Sequence, residues 1–280
     1  MSQTNQYSDT VEKARAYYNS DDADNFYYTV WGGEDIHIGL YQSDEEPIST
    51  ASERTVRTMA EKLAHLPKAA RILDIGAGYG GSARHLAKQH GYHVTALNLS
   101  EVENERDRQM NREQGLEHLV DVVDGDFENL PFEDDSFDAI WSQDAILHSG
   151  DRKRVFQEVD RVLKPGGDFV LTDILQRPDA DRDALQPVYD RIHLDNLGSI
   201  EDYDAYAKAF GWDKVAFDEM SHQLPNHYQR VHDVLTGKYD ELKSTISTEY
   251  MDRMKTGLMH WVNQGRAGNL TWGILHYRKR

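Results

Sequence analysis

The chain of 280 residues contains no cysteine, which excludes disulfide bonds, thiolate zinc sites and a cysteine nucleophile. It also has no apolar run of the roughly eighteen residues that a transmembrane helix needs. The N-terminus shows neither the basic start nor the apolar run of a signal peptide. We therefore expect a soluble protein of a reducing compartment, the cytoplasm.

Basic residues are scarce as well, with 31 Lys and Arg against 49 Asp and Glu and a net charge of −18. Such a charge repels a phosphate backbone and disfavours anionic lipid, so neither a nucleic-acid nor a membrane partner is expected. The acids are dispersed along the chain, which favours a solvated surface suited to solubility or high salt. Attraction of a cationic ligand is the alternative, and charge alone does not separate the two.

Strands and helices alternate from residue 71 onward. Strands are predicted at 71–75, 92–99, 118–126, 137–143, 167–175, 214–220 and 270–279. Helices are predicted at 81–90, 101–115 with Ser100 as N-cap, 151–163, 200–211 and along 226–263. This alternation predicts an α/β fold built on a parallel sheet. Residues 1–70 are expected to form a helical cap with an aromatic segment, followed by the main domain at 71–280, in which 177–265 is partly a lid.

The stretch RILDIGAGYGG (71–81) places a glycine turn between a strand and a helix. Gly76, Gly78 and Gly81 satisfy the G-x-G-x-x-G pattern, which would hold a pyrophosphate at the helix N-terminus. Asp74 argues against this, because a carboxylate at the strand end opposes an anion. The same carboxylate attracts the α-ammonium of an adenosyl-sulfonium cofactor, so the turn suits a cationic ligand.

Three segments in order carry a family resemblance: RILDIGAGYGGSARHLA, VDGDFENLPFEDDSFDAIWSQDAILH and RVLKPGGDFVLTD. They resemble the S-adenosylmethionine-dependent methyltransferases of the seven-stranded class. The resemblance implies a doubly wound, Rossmann-like sheet, S-adenosylmethionine as cofactor and no metal. The cofactor-binding residues that it implies are Trp31, Asp74, Gly76, Ala77, Gly78, Asn98, Leu99, Asp126, Phe127 and Gln143. For Asp126 taken alone, a turn residue is the alternative.

Asn98 departs from the family pattern, in which the second strand usually ends in an acid that accepts hydrogen bonds from the ribose. The amide oxygen of Asn98 accepts such a bond more weakly than a carboxylate does. We therefore expect Asn98→Asp to bind the cofactor as well as the native chain or better. The same asparagine counts against a nicotinamide dinucleotide.

Two flanking segments narrow the resemblance: NFYYTVWGGEDIHIGLY (25–41) and NLSEVENERDRQMNREQGL (98–116). Both resemble the small-molecule N-methyltransferases that make glycine betaine, particularly sarcosine/dimethylglycine methyltransferases. The resemblance implies methylation of sarcosine and dimethylglycine, small amino acids, by direct transfer to a neutral amine. Glycine betaine is an osmolyte, and the acidic composition fits a cell that faces high salt.

An acceptor with a carboxylate and an amine suggests further site residues. Aromatic side chains suit a methylated ammonium, and the candidates for such walls are Tyr27, Tyr28, Trp31, Tyr203 and Tyr206. Arg177, just after the fifth strand, is the predicted carboxylate anchor. His37 and His148, together with Tyr28, are the candidates for orienting the amine or removing its proton. For the aromatic residues the alternative is packing, for Arg177 it is a surface position, and for the two histidines it is a satisfied polar role.

Three other functions compete with this interpretation. A methyltransferase acting on a lipid head group or a quinol would need an apolar trough and a membrane-seeking face, which the mixed 226–263 stretch does not offer. A nicotinamide oxidoreductase fits the glycine turn but neither Asp74 nor Asn98. A binding module would show cofactor affinity without turnover. The sequence also leaves methylation of another small amine open as an alternative. It does not indicate whether glycine itself is accepted, or the oligomeric state.

Overall fold

The computed structural model describes residues 7–280, so the first six residues of the predicted cap lie outside the described residues. Its centre is a seven-stranded sheet in the order β3-β2-β1-β4-β5-β7-β6. The strands are β1 Arg71–Ile75, β2 His93–Asn98, β3 Val120–Asp124, β4 Phe137–Gln143, β5 Leu163–Gln176, β6 Asp213–Glu219 and β7 Leu270–Arg278. The first five run parallel, and β7 pairs antiparallel with both β5 and β6. The predicted seven-stranded α/β sheet is confirmed.

The sheet has its topological switch point at β1. Strand β1 pairs with β2 on one side and with β4 on the other, so the chain winds away from it in both directions. In open sheets of this kind, ligands bind in the crevice at the carboxyl ends of the strands that flank this point. The core strands are buried, and residues 72–75 of β1 and 139–143 of β4 are fully covered.

Helices cover both faces of the sheet. They are α1 Asp9–Tyr18, α2 Asp21–Phe26, α3 Ile48–Ala60, α4 Gly81–His90, α5 Glu101–Glu113, α6 Arg152–Val162, α7 Arg182–Ile192, α8 Ile200–Ala209, α9 Gln223–Gly237, α10 Tyr239–Leu242 and α11 Thr248–Arg266. A π-helical turn, Tyr27–Trp31, continues α2, and short 3₁₀ turns occupy Glu61–Leu63 and Ile146–His148. The Ser100 hydroxyl accepts a hydrogen bond from the Glu103 amide at 3.2 Å, which confirms it as the N-cap of α5.

Most predicted elements end within two residues of the observed ones, and two predictions differ by more. Strand β5 begins at Leu163 rather than at residue 167, because a register shift lets Phe137 of β4 pair with Leu163 while Ala139 pairs with Asp168. The helical stretch predicted over 226–263 consists of three helices, α9, α10 and α11. Ser247 separates the last two, since its hydroxyl caps α11 by accepting from the Tyr250 amide at 3.3 Å.

The N-terminal and C-terminal helices share one apolar cluster. Phe26 and Trp31 of the N-terminal segment are buried together with Tyr228 of α9 and with Met254 and Trp261 of α11. This cluster lies above the carboxyl edge of the sheet, because Leu147, Ile174 and Trp272 of the sheet region also belong to it. Within residues 7–280, no helix is both long and apolar enough to cross a membrane.

Candidate active site

The glycine turn after β1 packs too closely for side chains. Gly76 has φ +79°, and a Cβ there would lie 2.4 Å from the Cβ of Ala145, which follows β4. Gly78 has φ +55°, and its Cβ would lie 2.9 Å from Cδ1 of Ile36. Positive φ and close approach both favour glycine. The turn therefore sits between the end of β4 and the N-terminal segment that covers it.

A cavity opens at this turn, in the crevice of the switch point. Nine residues predicted for the site line it: Tyr27, Gly76, Gly78, Asn98, Leu99, Asp126, Phe127, Gln143 and His148. A smaller adjoining cavity is lined by His37, Asp74 and Ala77, again with Gly76 and Gln143. The structure thus brings twelve of the seventeen predicted site residues to one place.

The order of the strands gives the cavity a polar and an aromatic end. Asn98 ends β2, and its amide Nδ2 donates to Oε2 of Glu103 at 2.8 Å. Asp126, which follows β3, lies on the same side. Beyond β1 and β4, the aromatic end is formed by Tyr18, Tyr27 and His148. There, the hydroxyl of Tyr18 lies 3.0 Å from Nε2 of His148, and the rings of Tyr18 and Tyr27 are 5.6 Å apart.

Burial shifts the titratable groups of both ends toward their neutral forms. It raises the pKa of Glu103 to about 7 and the pKa of Asp126 to about 6. Burial, together with the charge of Arg152, lowers the pKa of His148 to about 4. Among the residues that line the larger cavity, two buried polar atoms have no hydrogen-bond partner in the described part of the chain, Oε1 of Glu103 and Nε2 of Gln143. Unpaired buried polar atoms that face a cavity are suited to a polar ligand.

The smaller cavity holds Asp74 at the end of β1. Burial and the neighbouring Asp107 raise the pKa of Asp74 to about 8. His37 is also buried, with Nε2 lying 3.5 Å from Oδ1 of Asp35. Burial lowers the pKa of His37, but Asp35 and Asp144 outweigh it and the net shift is upward. A cation entering here would therefore favour the ionised form of Asp74.

Comparison with known proteins places this geometry in a family. Residues 73–171 match the family model described as a methyltransferase domain. The sarcosine/dimethylglycine N-methyltransferase of Aphanothece halophytica is 54% identical over 97% of this chain and 99% of its own. The chain belongs to the sarcosine/dimethylglycine N-methyltransferase family. The enzyme of the same name from Halorhodospira halochloris is 54% identical over 96% of both chains. A Galdieria sulphuraria structure assigned to this activity superposes with a TM-score of 0.89 at 44% identity, covering 94% of this chain and 98% of that one.

Membership of the family makes this protein an S-adenosylmethionine-dependent N-methyltransferase. The cavity fits that cofactor on its own chemistry. The carboxyl oxygen of Glu103 and the amide of Gln143 that lack partners can bind hydroxyl and carboxylate groups. Asp74 in the adjoining cavity suits an ammonium group. No cluster of three or more His, Cys, Asp or Glu side chains that could hold a metal ion occurs in the described part of the N-methyltransferase.

Five predicted site residues lie outside both cavities. Tyr28 is 39% exposed, and the guanidinium of Arg106 lies 4.7 Å from its ring centre. Trp31 is buried against Tyr27 and Tyr228 in the apolar cluster. Tyr203 and Tyr206 of α8 pack on Phe156, at 5.0 and 5.5 Å between ring centres. None of these four side chains lines the space around the glycine turn.

Arg177 is the fifth of these residues. Its guanidinium pairs with Glu219 at 2.5 Å, and the two side chains are 39% and 47% exposed. The reason is the strand order: β7 and β6 follow β5 at this edge of the sheet, so the residue after β5 meets the end of β6. Arg177 therefore already has a carboxylate partner at the surface, and we do not propose it as the anchor for the carboxylate of the acceptor.

Sequence reasoning missed two kinds of lining residue. Tyr18, with Val11 and Ala14, comes from α1 in the cap, a helix whose position depends on tertiary contacts. Glu103 lies three residues after Ser100, a spacing that by itself indicates helix capping rather than a binding role. Asp144, which the family resemblance places with Gln143 and His148 at the end of the fourth strand, also lines the cavity. Its carboxylate accepts from the Ile38 amide at 2.7 Å and from Nε1 of Trp272 at 2.8 Å.

The raised pKa of Asp74 predicts that cofactor affinity depends on pH. In the free protein this carboxyl is mostly protonated below its pKa of about 8. A bound α-ammonium favours the ionised form, so binding releases a proton and affinity should rise from pH 6 to pH 8 and then level off. Titration calorimetry at three pH values, each in two buffers of different ionisation enthalpy, measures both the affinity and the number of protons released.

Asp74→Asn provides the comparison for this prediction. It should weaken binding at pH 8 by roughly 1–3 kcal/mol, the range for losing a charge-assisted hydrogen bond. It should also remove the proton release. An unchanged pH slope in the variant would assign the titration to another group and remove the ammonium contact from Asp74.

Proposed function

We propose that this protein methylates sarcosine to dimethylglycine and dimethylglycine to glycine betaine. The observation that carries the proposal is the aromatic end of the cavity, where Tyr18, Tyr27 and His148 meet beside the glycine turn. Such rings suit an amine that becomes a quaternary ammonium. The two relatives at 54% identity carry this activity in their names. The surplus of 49 acids over 31 bases supports a role in osmolyte synthesis at high salt.

The polar end and the smaller cavity hold the cofactor in this proposal. Asn98 and Glu103 bind the ribose hydroxyls, the pair replacing the single acid that β2 lacks. Asp126 and Phe127 border the adenine, with Leu99 on its other side. These assignments rest on the lining residues and on the unpaired Oε1 of Glu103.

The methionine part lies over the glycine turn. Asp74 binds its α-ammonium, and Nε2 of Gln143, which lacks a partner among the described residues, donates to its carboxylate. The carbonyl oxygen of the same Gln143 side chain accepts from Ser82 and from Nε1 of Trp141, which fixes the direction of the amide. His37 acts on Asp74 through its charge, which favours the ionised carboxylate, rather than through a direct contact.

S-adenosylmethionine, when bound, supplies an electrophilic methyl group on a sulfonium. The residues of the chain then have to orient a neutral amine and exclude water, which is where most of the rate for such a transfer arises. Tyr18 and Tyr27 form walls that contact the N-methyl groups. His148 has a pKa of about 4, so it remains neutral and places no charge beside the reacting centre. Its ring can hydrogen-bond the amine proton or the Tyr18 hydroxyl.

The test is turnover with a panel of acceptors. The protein is incubated with S-adenosylmethionine and glycine, sarcosine, dimethylglycine, phosphoethanolamine or a quinol, and products are identified by mass spectrometry. We expect sarcosine and dimethylglycine to be methylated, and the rate to rise with pH until the bound amine is neutral. Methylation of the quinol or of phosphoethanolamine in preference to both would contradict the proposal.

His148→Ala should lower kcat while leaving cofactor affinity within about twofold.

A further inference from the structure

One arginine of α7 lies behind the aromatic end of the cavity. Nη2 of Arg191 lies 3.1 Å from the sulfur of Met254 in α11. The hydroxyl of Tyr17 lies 3.7 Å from the same sulfur and 3.4 Å from the hydroxyl of Tyr27, which lines the cavity. The guanidinium is therefore separated from a lining residue by a single tyrosine and a flexible thioether.

The guanidinium of Arg191 also packs on the backbone of α11. A Cβ at Gly257 would lie 2.0 Å from Nη1 of Arg191, so this glycine leaves room for the guanidinium. Among the described side chains, the hydrogen bond that the structure gives Arg191 goes to a thioether, which is a weak acceptor. Arg84 and Arg106, by contrast, are each paired with a carboxylate. The strong donors of Arg191 thus remain suited to an anion.

The charge of Arg191 reaches the groups around the acceptor space. Burial, followed by the charges of Arg152 and Arg191, lowers the pKa of His148. Burial raises the pKa of Tyr27, and Arg191 opposes that rise. Arg152 is also near, but it donates to the Leu147 carbonyl at 3.1 Å and to the Asn196 carbonyl at 2.8 Å. The two terminal nitrogens of Arg152 are therefore occupied in holding two loops, although its Nε lacks a partner among the described residues. The hydrogen bond that Arg191 makes within residues 7–280, by contrast, goes only to the thioether.

We propose that Arg191 is the anchor for the carboxylate of the acceptor amino acid. This rests on the proposed function, because only an acceptor with an acidic group needs such an anchor. The carboxylate lies toward α7 and the amine between the tyrosine rings and His148, facing the glycine turn. Movement of the flexible Met254 side chain opens the approach to the guanidinium. Arg191 then selects amino acids over amines of the same size without a carboxylate.

The experiment compares two acceptors on four proteins. The acceptors are dimethylglycine and N,N-dimethylethanolamine, which has a hydroxyl in place of the carboxylate. The proteins are the native chain, Arg191→Ala, Arg191→Lys and Arg177→Ala, the last being a surface arginine with its own partner, Glu219. Arg191→Ala should raise KM for dimethylglycine by about 30-fold or more, as for the loss of one member of a charge pair. Its KM for dimethylethanolamine and its Kd for S-adenosylmethionine should change less than about twofold.

The remaining variants separate anchoring from packing. Arg191→Lys should retain part of the preference for dimethylglycine, since a lysine keeps the positive charge but lacks the paired N–H donors of a guanidinium. Arg177→Ala should keep both KM values within about twofold. Gly257→Ala should raise KM for dimethylglycine while leaving the protein as thermally stable or more so, because alanine favours a helix over glycine by about 1 kcal/mol.

Two results would overturn the inference, and they are distinguishable. If the native protein methylates dimethylglycine and a folded Arg191→Ala keeps its native KM, Arg191 is not the anchor while the proposed function stands. If the native protein prefers dimethylethanolamine to dimethylglycine, both the anchor and the proposed function fail. Should Arg191→Ala not fold, Arg191→Lys and Gly257→Ala decide between these outcomes.

Discussion

Gly76→Val is expected to weaken S-adenosylmethionine binding by about 100-fold or more. The native glycine has φ +79°, and a Cβ there would lie 2.4 Å from the Cβ of Ala145. Both residues line the cavity, so the valine side chain would fill the crevice between the ends of β1 and β4. A β-branched residue at positive φ adds backbone strain of about 1–2 kcal/mol. Calorimetry with the purified variant gives the dissociation constant.

Gly91→Val is the matched control, because it imposes the backbone strain of a valine at positive φ without placing a side chain in the cavity. Gly91 has φ +69° at the end of α4, and a Cβ there meets nothing within 4 Å. Both variants should lose a similar free energy of unfolding from the positive φ. Only Gly76→Val should lose cofactor affinity. Native affinity in a folded Gly76→Val would mean that the cofactor does not use the switch-point crevice.

The sheet could be predicted from the sequence because its signals are local. Strands such as Arg71–Ile75 are short apolar runs bounded by turn residues, and Gly76 and Gly78 mark a turn that needs positive φ. Ser100 is recognisable as an N-cap from its place between a strand and a polar helix. The cofactor end of the site follows from these elements, since residues at the carboxyl ends of parallel strands meet at one edge.

The acceptor end depends on contacts between distant parts of the chain. Tyr18 reaches the cavity only because α1 is docked on α5, where Arg15 pairs with Glu101 at 2.6 Å. The prediction of Arg177 as the anchor rested on its position just after β5, which does not show where its side chain turns. The insertion of β7 beside β5 turns Arg177 toward Glu219, while α7 carries Arg191 back toward the tyrosines. Such packing leaves no periodic signal in the sequence.

In the proposed ribose site, the acid lies at a different distance along the chain from the one that the family pattern predicts. The family pattern places it at residue 98, and the structure supplies a carboxyl five residues later, from the first turns of α5. Glu103 is 3% exposed and has a pKa of about 7, raised by burial, which is unusual for a glutamate in a polar helix. A helix position that looks solvent-facing in a polar sequence can thus face a cavity instead.

Glu103→Ala is expected to weaken S-adenosylmethionine binding by about 10- to 100-fold, as for a lost hydrogen bond to a charged group of roughly 1.5–3 kcal/mol. Glu103→Gln should lose less, since its amide oxygen still accepts. The structure also reverses the expectation for Asn98→Asp. Its new carboxylate would stand where Nδ2 of Asn98 now lies 2.8 Å from Oε2 of Glu103, so repulsion should weaken binding rather than restore it.

The control for the variants of Asn98 and Glu103 is Glu105→Ala on α5. The side chain of Glu105 is 65% exposed and pairs with Arg112 at 3.2 Å. It removes a carboxylate from α5 without touching the cavity, so its dissociation constant should stay within about twofold of the native value. Repulsion in Asn98→Asp should lessen at low pH, where Glu103, with a pKa of about 7, takes up a proton. Native affinity in both Glu103→Ala and Asn98→Asp would show that another group binds the ribose.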